Sequence, residues 1–200
     1  MHRAATAESR TDFESTTGIA IGKLGIWWFL ASEIMVFGGL VSTYLLFRMA
    51  SGGAWSELAS HVNTKIGAIN TVVLLTSSLT MVMAFDAIGS GQRSRTRFYL
   101  GLTVLLGLAF LGIKGVEYTT EIRHGFTPLS GVFWSFYYTM TGLHGLHVLG
   151  GIVANAALYV MAIRGTLWSG VQQRVEYVGL YWHFVDVVWI FLFPLLYLSY

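Results

Sequence analysis

The sequence predicts an all-α membrane protein: a bundle of five transmembrane helices with its N-terminus in the cytoplasm and its C-terminus on the periplasmic, outer side. Three observations carry that prediction. Apolar residues make up 54% of the 200-residue chain and charged residues only 11%, where soluble domains carry about 25% charged residues. Five apolar runs are each long enough to cross the hydrocarbon layer as helices, which takes roughly 20 residues. Lysine and arginine fall unevenly on the two sides those runs separate. The net charge of +2 gives no reason to expect nucleic acid. Without cysteine there is no disulfide, no thiolate metal site and no cysteine nucleophile, so a metal would need histidines and carboxylates.

Residues 1–23 read as a polar N-terminal tail carrying Arg3, Glu8, Arg10, Asp12 and Glu14, and residues 24–200 as one five-helix domain. No short apolar core with a small-residue cleavage site precedes the first run, so no cleaved signal peptide is expected. The runs cover about 25–47, 66–88, 98–118, 132–163 and 177–198. None shows the alternation of a barrel strand. The loops are too short for a soluble domain; the longest, residues 48–65, opens with Ser51-Gly52-Gly53, a turn, then Trp55. Thr127-Pro128 marks the turn before the fourth run. Trp55, Tyr99, Tyr118, Trp134, Trp168, Tyr197 and Tyr200 gather near run ends and read as an interfacial aromatic belt. Glycines within the runs, among them Gly38, Gly39, Gly107, Gly112, Gly115 and Gly151, predict close helix approach. Pro194 removes a backbone hydrogen bond from the fifth helix and predicts a kink.

Orientation follows from the basic residues. Arg3, Arg10, Lys23, Arg93, Arg95, Arg97, Arg164 and Arg174 share one side, and Arg48, Lys65 and Arg123 the other. Eight against three places the N-terminus inside. The run Arg93-Ser94-Arg95-Thr96-Arg97 reads as a stop-transfer flank.

Ionisable side chains within the spans are few, and each needs a partner because an unpaired charge in lipid costs several kcal/mol. They are Glu33, Asp86, Lys114, Glu117, His144, His147, His183 and Asp186. At 1.5 Å of rise per residue, Glu33 and His183 lie about 13 Å from the inner helix ends and Asp186 about 5 Å further out. Glu33, His144, His147, His183 and Asp186 are therefore placed in one layer. Lys114 and Glu117, three apart in the outer half, are expected to pair. Four readings fit the inner layer: a hydrogen-bonded packing network, a His/Asp metal site, a proton pathway, or a lipid or substrate site.

Two segments then point to a family. Thr141-Gly-Leu-His144-Gly-Leu-His147-Val, followed by Tyr181-Trp-His183-Phe-Val-Asp186-Val-Val-Trp189, resembles subunit III of the heme–copper oxidases. Ser32-Glu33 with Phe37-Gly38-Gly39, Leu75-Thr76-Ser77-Ser78, and Glu117-Tyr118 resemble further segments, so the likeness runs from about residue 25 onward. Five helices match the short bacterial form, which lacks the first two helices of longer members; those help form a lipid-filled cleft. Lys114 stands where the mitochondrial type has glutamine, which also suggests a bacterial branch.

The resemblance implies an accessory subunit of a cytochrome c oxidase-type terminal oxidase in the bacterial cytoplasmic membrane, where oxygen reduction to water is coupled to proton translocation. It implies no redox centre on this chain, with heme and copper in partner subunits. The expected partners are subunit I as the main contact, subunit II, further respiratory complexes and bound phospholipids. Glu33 matches the buried family carboxylate that reacts with hydrophobic carbodiimides and is implied in proton or lipid gating. His144, His147, His183 and Asp186 become a packing network, and Arg164 is an offset match to a lipid headgroup residue. The alternatives are subunit III of a quinol oxidase, an accessory protein of a nitric oxide reductase, a membrane His/Asp metalloenzyme using His144, His147, His183 and Asp186, and a small transporter with Glu33 on its path.

Overall fold

The computed structural model describes residues 21–166 and 172–198. Residues 1–20 of the expected tail, with Arg3 and Arg10, and the belt residues Trp168 and Tyr200 lie outside the described residues. Six helices follow in order: α1 (Ile21–Ala50), α2 (Ala54–Ala59), α3 (Thr64–Gly89), α4 (Arg93–Arg123), α5 (Val132–Arg164) and α6 (Gln172–Tyr197). All but α2 are long and apolar enough to cross a membrane, and the described residues contain no strand.

Local signals set the helix ends. Asn63 caps α3, its side chain accepting from the Ile66 amide at 3.2 Å. Gly91 (φ 69°) lets the chain turn between α3 and α4, and Gly165 (φ 77°) ends α5 in the left-handed conformation that a side chain disfavours. Several helices run past their expected bounds: α4 continues to Arg123 and α6 starts at Gln172. Gly22 and Lys23, assigned to the tail, are already in the first turn of α1. Arg93–Arg97, assigned to a loop, forms the first turns of α4. There the Arg97 guanidinium donates to the Ala162 carbonyl at 3.0 Å, near the end of α5 where carbonyls lack helical partners.

α3, α4, α5 and α6 form a closed ring in which each packs on two neighbours, and α1 lies outside against α5 and α6. α1 buries 11% of its most apolar stretch, where the other four spans bury 28–33%. A polar seam joins α3 to α4 and α6. Asn70 donates to the Phe110 carbonyl (3.3 Å), Ser77 to the Thr103 carbonyl (3.2 Å), and the Trp182 and Trp189 indoles to Ser77 (3.2 Å) and Thr71 (3.0 Å). In hydrocarbon such bonds select one pairing of helices, since lipid offers no alternative partner.

The aromatic belt needs correction. Trp55, Trp134 and Tyr197 are buried inside the chain. The unexpected helix α2 turns Trp55 inward onto Tyr44, Phe47, Phe133 and Phe136, with ring centroids 5.2–6.5 Å apart. Trp134 stacks on Phe126 at 4.5 Å. The glycines also divide. At Gly107 a Cβ would lie 2.8 Å from Ile152 and 2.9 Å from Trp182, and at Gly151 it would overlap the Trp182 ring. Gly38, Gly39, Gly112 and Gly115 have nothing within 4 Å and face outward, so they mediate no approach inside this chain. The helix runs on through Pro194, whose ring leaves the Ile190 carbonyl without its usual partner.

Gly151→Ala is therefore expected to lower the melting temperature, at a cost of about 1–3 kcal/mol for overpacking against a rigid indole. Gly112→Ala leaves it unchanged; thermal unfolding in detergent followed by near-ultraviolet circular dichroism compares the two.

Candidate functional site

The intramembrane polar residues do not meet in one layer. Most of them fall into three groups held by different sets of helices, and His144 stands apart. In the first, α5 presents the His147 ring to Glu33 on α1, with Nε2 3.0 Å from Oε2. His147 Nδ1 lies 2.8 Å from the Leu143 carbonyl. A carbonyl only accepts, so Nδ1 carries a hydrogen. One further proton is then shared between Nε2 and Glu33, either as imidazolium and carboxylate or as neutral imidazole and carboxylic acid. The two forms have the same total charge, so the proton can shift without changing the charge left in the membrane. Tyr181 donates to the His147 carbonyl at 3.0 Å, and Phe37 sets its edge against the imidazole at 5.2 Å. Glu33 was expected to be buried; its side chain is 16% exposed, because α1 sits outside the ring. A groove between α1 and α6 with a volume of about 250 Å³ starts one residue away and is lined by Ile34, Phe37, Gly38, Val41, Phe184 and Phe191.

The second group lies on α3 and α6. The Ser78 hydroxyl is 2.7 Å from His183 Nδ1. Asp186, one turn further, is 3.9 Å from that nitrogen, beyond hydrogen-bond range. His183 and Ser78 are the polar neighbours of the Asp186 carboxyl, yet neither reaches it with hydrogen-bond geometry, and both its oxygens are buried. His144 belongs to neither group. Its ring stacks on Trp189 (5.1 Å) and meets the edge of Phe110 (5.6 Å), and among the described residues neither ring nitrogen has a hydrogen-bond partner. The expected network of His144, His147, His183 and Asp186 is thus two separate pairs and an aromatic-packed imidazole. Common depth placed them together, but they face different neighbours around the bundle.

The third group is the most deeply buried. Lys114 donates to Glu117 Oε2 at 3.1 Å, to the Tyr137 hydroxyl at 3.1 Å and to the Tyr197 hydroxyl. Tyr137 and Tyr197 in turn donate to Glu117 Oε1 at 2.7 and 2.6 Å. The cluster ties α4, α5 and α6 together and uses all three ammonium hydrogens. The Lys114 ammonium also lies 4.9–5.4 Å from the centroids of Tyr118, Tyr137, Trp189 and Tyr197. Tyr137, Tyr197 and Glu121 were not anticipated. Glu121 is buried one turn beyond Glu117, with Oε2 lacking a hydrogen-bond partner among the described residues. The spacing of Lys114, Glu117 and Glu121 on one helix face was the available signal for the last of these.

Three further placements complete the set. Arg164 is the exposed final residue of α5. Lys23 pairs with Glu176 at 2.9 Å and fastens the start of α1 to α6. Among the described residues no group of three or more histidines and carboxylates is arranged to hold a metal ion. What the site offers chemically is one relocatable proton at Glu33–His147 beside an apolar groove, and two interior polar joints.

Comparison with known proteins adds the following. The family model described as cytochrome c oxidase subunit III matches residues 1–199. Cytochrome c oxidase subunit 3 of Bacillus subtilis is 36% identical over 178 residues, 88% of this chain and 84% of that one. A probable cytochrome c oxidase subunit 3 of Nocardia farcinica is 34% identical over 179 residues, 90% and 87% of the two chains. A probable quinol oxidase subunit 3 of Staphylococcus epidermidis is 34% identical over 197 residues, 98% and 96% of the two chains.

The third group generates a stability test. Lys114→Met strands the Glu117 carboxylate and is expected to cost about 3–5 kcal/mol, the range for breaking a buried pair. Adding Glu117→Gln to it recovers part of the loss. A double-mutant cycle on melting temperature measures both, and equal losses in the single and double variants would contradict the pairing.

Proposed function

The chain belongs to the cytochrome c oxidase subunit III family, and from that premise we propose that it acts as a non-catalytic subunit packed beside the heme- and copper-bearing subunit I of a bacterial terminal oxidase. As a subunit III it is an accessory component of a complex that reduces oxygen in a respiratory chain, and it is a multi-pass membrane protein. The proposal adds its place and manner of working: the bacterial cytoplasmic membrane, N-terminus inside, with subunits I and II as partners and no heme or copper of its own. The observation that carries it is the way four of the interior ionisable groups bind one another. Lys114–Glu117 and Glu33–His147 each close within the chain, which leaves a scaffold rather than an open ligand set.

Within that scaffold, Glu33 is the residue assigned a functional role. It is partly exposed on the outlying helix, shares a proton with His147 and borders the α1–α6 groove. The groove is apolar and open to the bundle surface, which suits a lipid acyl chain. Arg164 at the end of α5 is the candidate for a phospholipid headgroup. His183 and Asp186 act in packing α6 against α3 rather than in chemistry.

Cytochrome c is the proposed electron donor. A quinol oxidase is the second reading, favoured by the Staphylococcus epidermidis relative, which is named a quinol oxidase subunit and aligns over 98% of this chain. A dinuclear copper site in the co-purified subunit II decides for cytochrome c, and its absence decides for quinol.

Two outcomes test the proposal. A tagged chain extracted in mild detergent is expected to bring down a heme-containing subunit; recovery of the chain alone would overturn it. Glu33→Ala is expected to leave the heme absorption spectrum unchanged while shortening the number of turnovers before activity decays. An altered heme spectrum in an intact complex would count against an accessory role.

A further inference from the structure

Ser32, Thr43, Thr76 and Thr119 face outward from the spans, and each hydroxyl donates to a carbonyl of its own helix. His183 is not satisfied in that way. Its side chain is 36% exposed in the middle of α6. Nδ1 is taken by Ser78 at 2.7 Å, and among the described residues Nε2 has no hydrogen-bond partner. The Ser78 hydroxyl has no other acceptor among them, so its hydrogen points to Nδ1 and the ring hydrogen sits on Nε2. A ring protonated beside Asp186, 3.9 Å from Nδ1, keeps a hydrogen on Nε2 as well. Either form leaves an N–H donor at the bundle surface, at a depth where acyl chains offer no acceptor.

The same seam contains a depression of about 170 Å³ between α3 and α6, lined by Met81, Val82, Phe85, Gly179, Leu180 and His183. Small-molecule sites run to roughly 300–1,000 Å³, so this one suits a single inserted side chain. One turn past Val82, toward the end where α3 turns into α4, Asp86 is exposed and has no ion pair among the described residues. The cytoplasmic flanks of membrane helices are rich in lysine and arginine, the charge that complements it. The outward face of α4 is different: Leu105, Leu108, Gly112, Gly115 and Val116 form a surface that lipid solvates without loss.

We propose that the α3–α6 face around His183 is where a transmembrane helix of the heme-bearing subunit docks, with one bulky apolar side chain in the depression and a side-chain oxygen accepting from His183 Nε2. The acceptor is a hydroxyl, amide or carboxylate, because the carbonyls of a membrane helix are already used within it. A lysine or arginine at the cytoplasmic end of that helix reaches Asp86. A lipid fills the depression but leaves the imidazole N–H unmet, which is why the occupant is a protein helix. This assignment rests on the accessory-subunit reading above and adds to it the face by which the chain is held.

The test places a benzoylphenylalanine photo-crosslinker at Val82 or at Leu108, which are equally exposed at 50%, in the full chain within its native membrane. After irradiation, Val82 is expected to give an adduct with the heme-bearing subunit and Leu108 none. A heme-bearing subunit that co-purifies with the chain but is labelled from Leu108 and not from Val82 overturns the docking face and leaves the accessory role standing. Labelling of lipid alone, or of a second copy of this chain, from Val82 overturns it too. If no heme-bearing subunit co-purifies, the accessory reading fails and the docking face with it. In a second measurement, His183→Leu is expected to speed loss of the heme-bearing subunit in mild detergent roughly three- to tenfold, the effect of one hydrogen bond between membrane helices. His183→Gln, which keeps an N–H donor, recovers most of that retention. Equal loss in both variants overturns the hydrogen bond, and the crosslinking, which leaves His183 in place, decides the face even where neither variant folds.

Discussion

Hydrocarbon offers no hydrogen bond, so each polar group on these spans must find its partner on another helix or lie next to one on its own. That constraint sorts the bundle. The α3 seam, from Asn70 to Ser77 and Ser78, takes up carbonyls of α4 and rings of α6. The Lys114 cluster joins α4 to α5 and α6. These joints fix how the four helices of the ring pair, and the apolar side chains, which lipid would solvate as well as protein does, fill the space between.

α1 obeys the same rule more sparingly. It is fastened at three heights, by Lys23 to Glu176, by Glu33 to His147, and by the Tyr44 hydroxyl, which donates to the Leu195 carbonyl at 3.2 Å. Between the second and third fastenings lies the α1–α6 groove. A helix attached at points, with space between them, can yield locally without opening the ring. This is the setting in which Glu33, the residue proposed to gate lipid or proton traffic, is found.

The sequence made the spans plain because lipid imposes a length that no soluble helix must meet. It made the Lys114–Glu117 pair plain because three residues on a helix bring two side chains together whatever surrounds them. It did not show which way the remaining groups face. Rise per residue places His144, His147, His183 and Asp186 along the membrane normal, but their partners depend on rotation about each helix and on the order of helices in the ring. His144 accordingly packs against rings while His147, three residues on, reaches Glu33. Tyr197 near a helix end looked like an interfacial anchor; only the meeting of α4, α5 and α6 makes it part of the interior. α2 has six residues, too few for a periodic pattern, so the burial of Trp55 was hidden as well.

The cluster that closes the ring also carries a schedule. Glu117 and the Tyr197 hydroxyl that completes its shell are 80 residues apart in the chain. At a ribosomal pace of about 5–20 residues per second, Glu117 waits on the order of 4–16 seconds for that partner. Throughout the delay α4 carries an ammonium and a carboxylate without the hydroxyl that completes their shell. Because Lys114 lies one turn from Glu117, the nascent helix can neutralise itself from the moment it forms, and its commitment to lipid need not wait for α6.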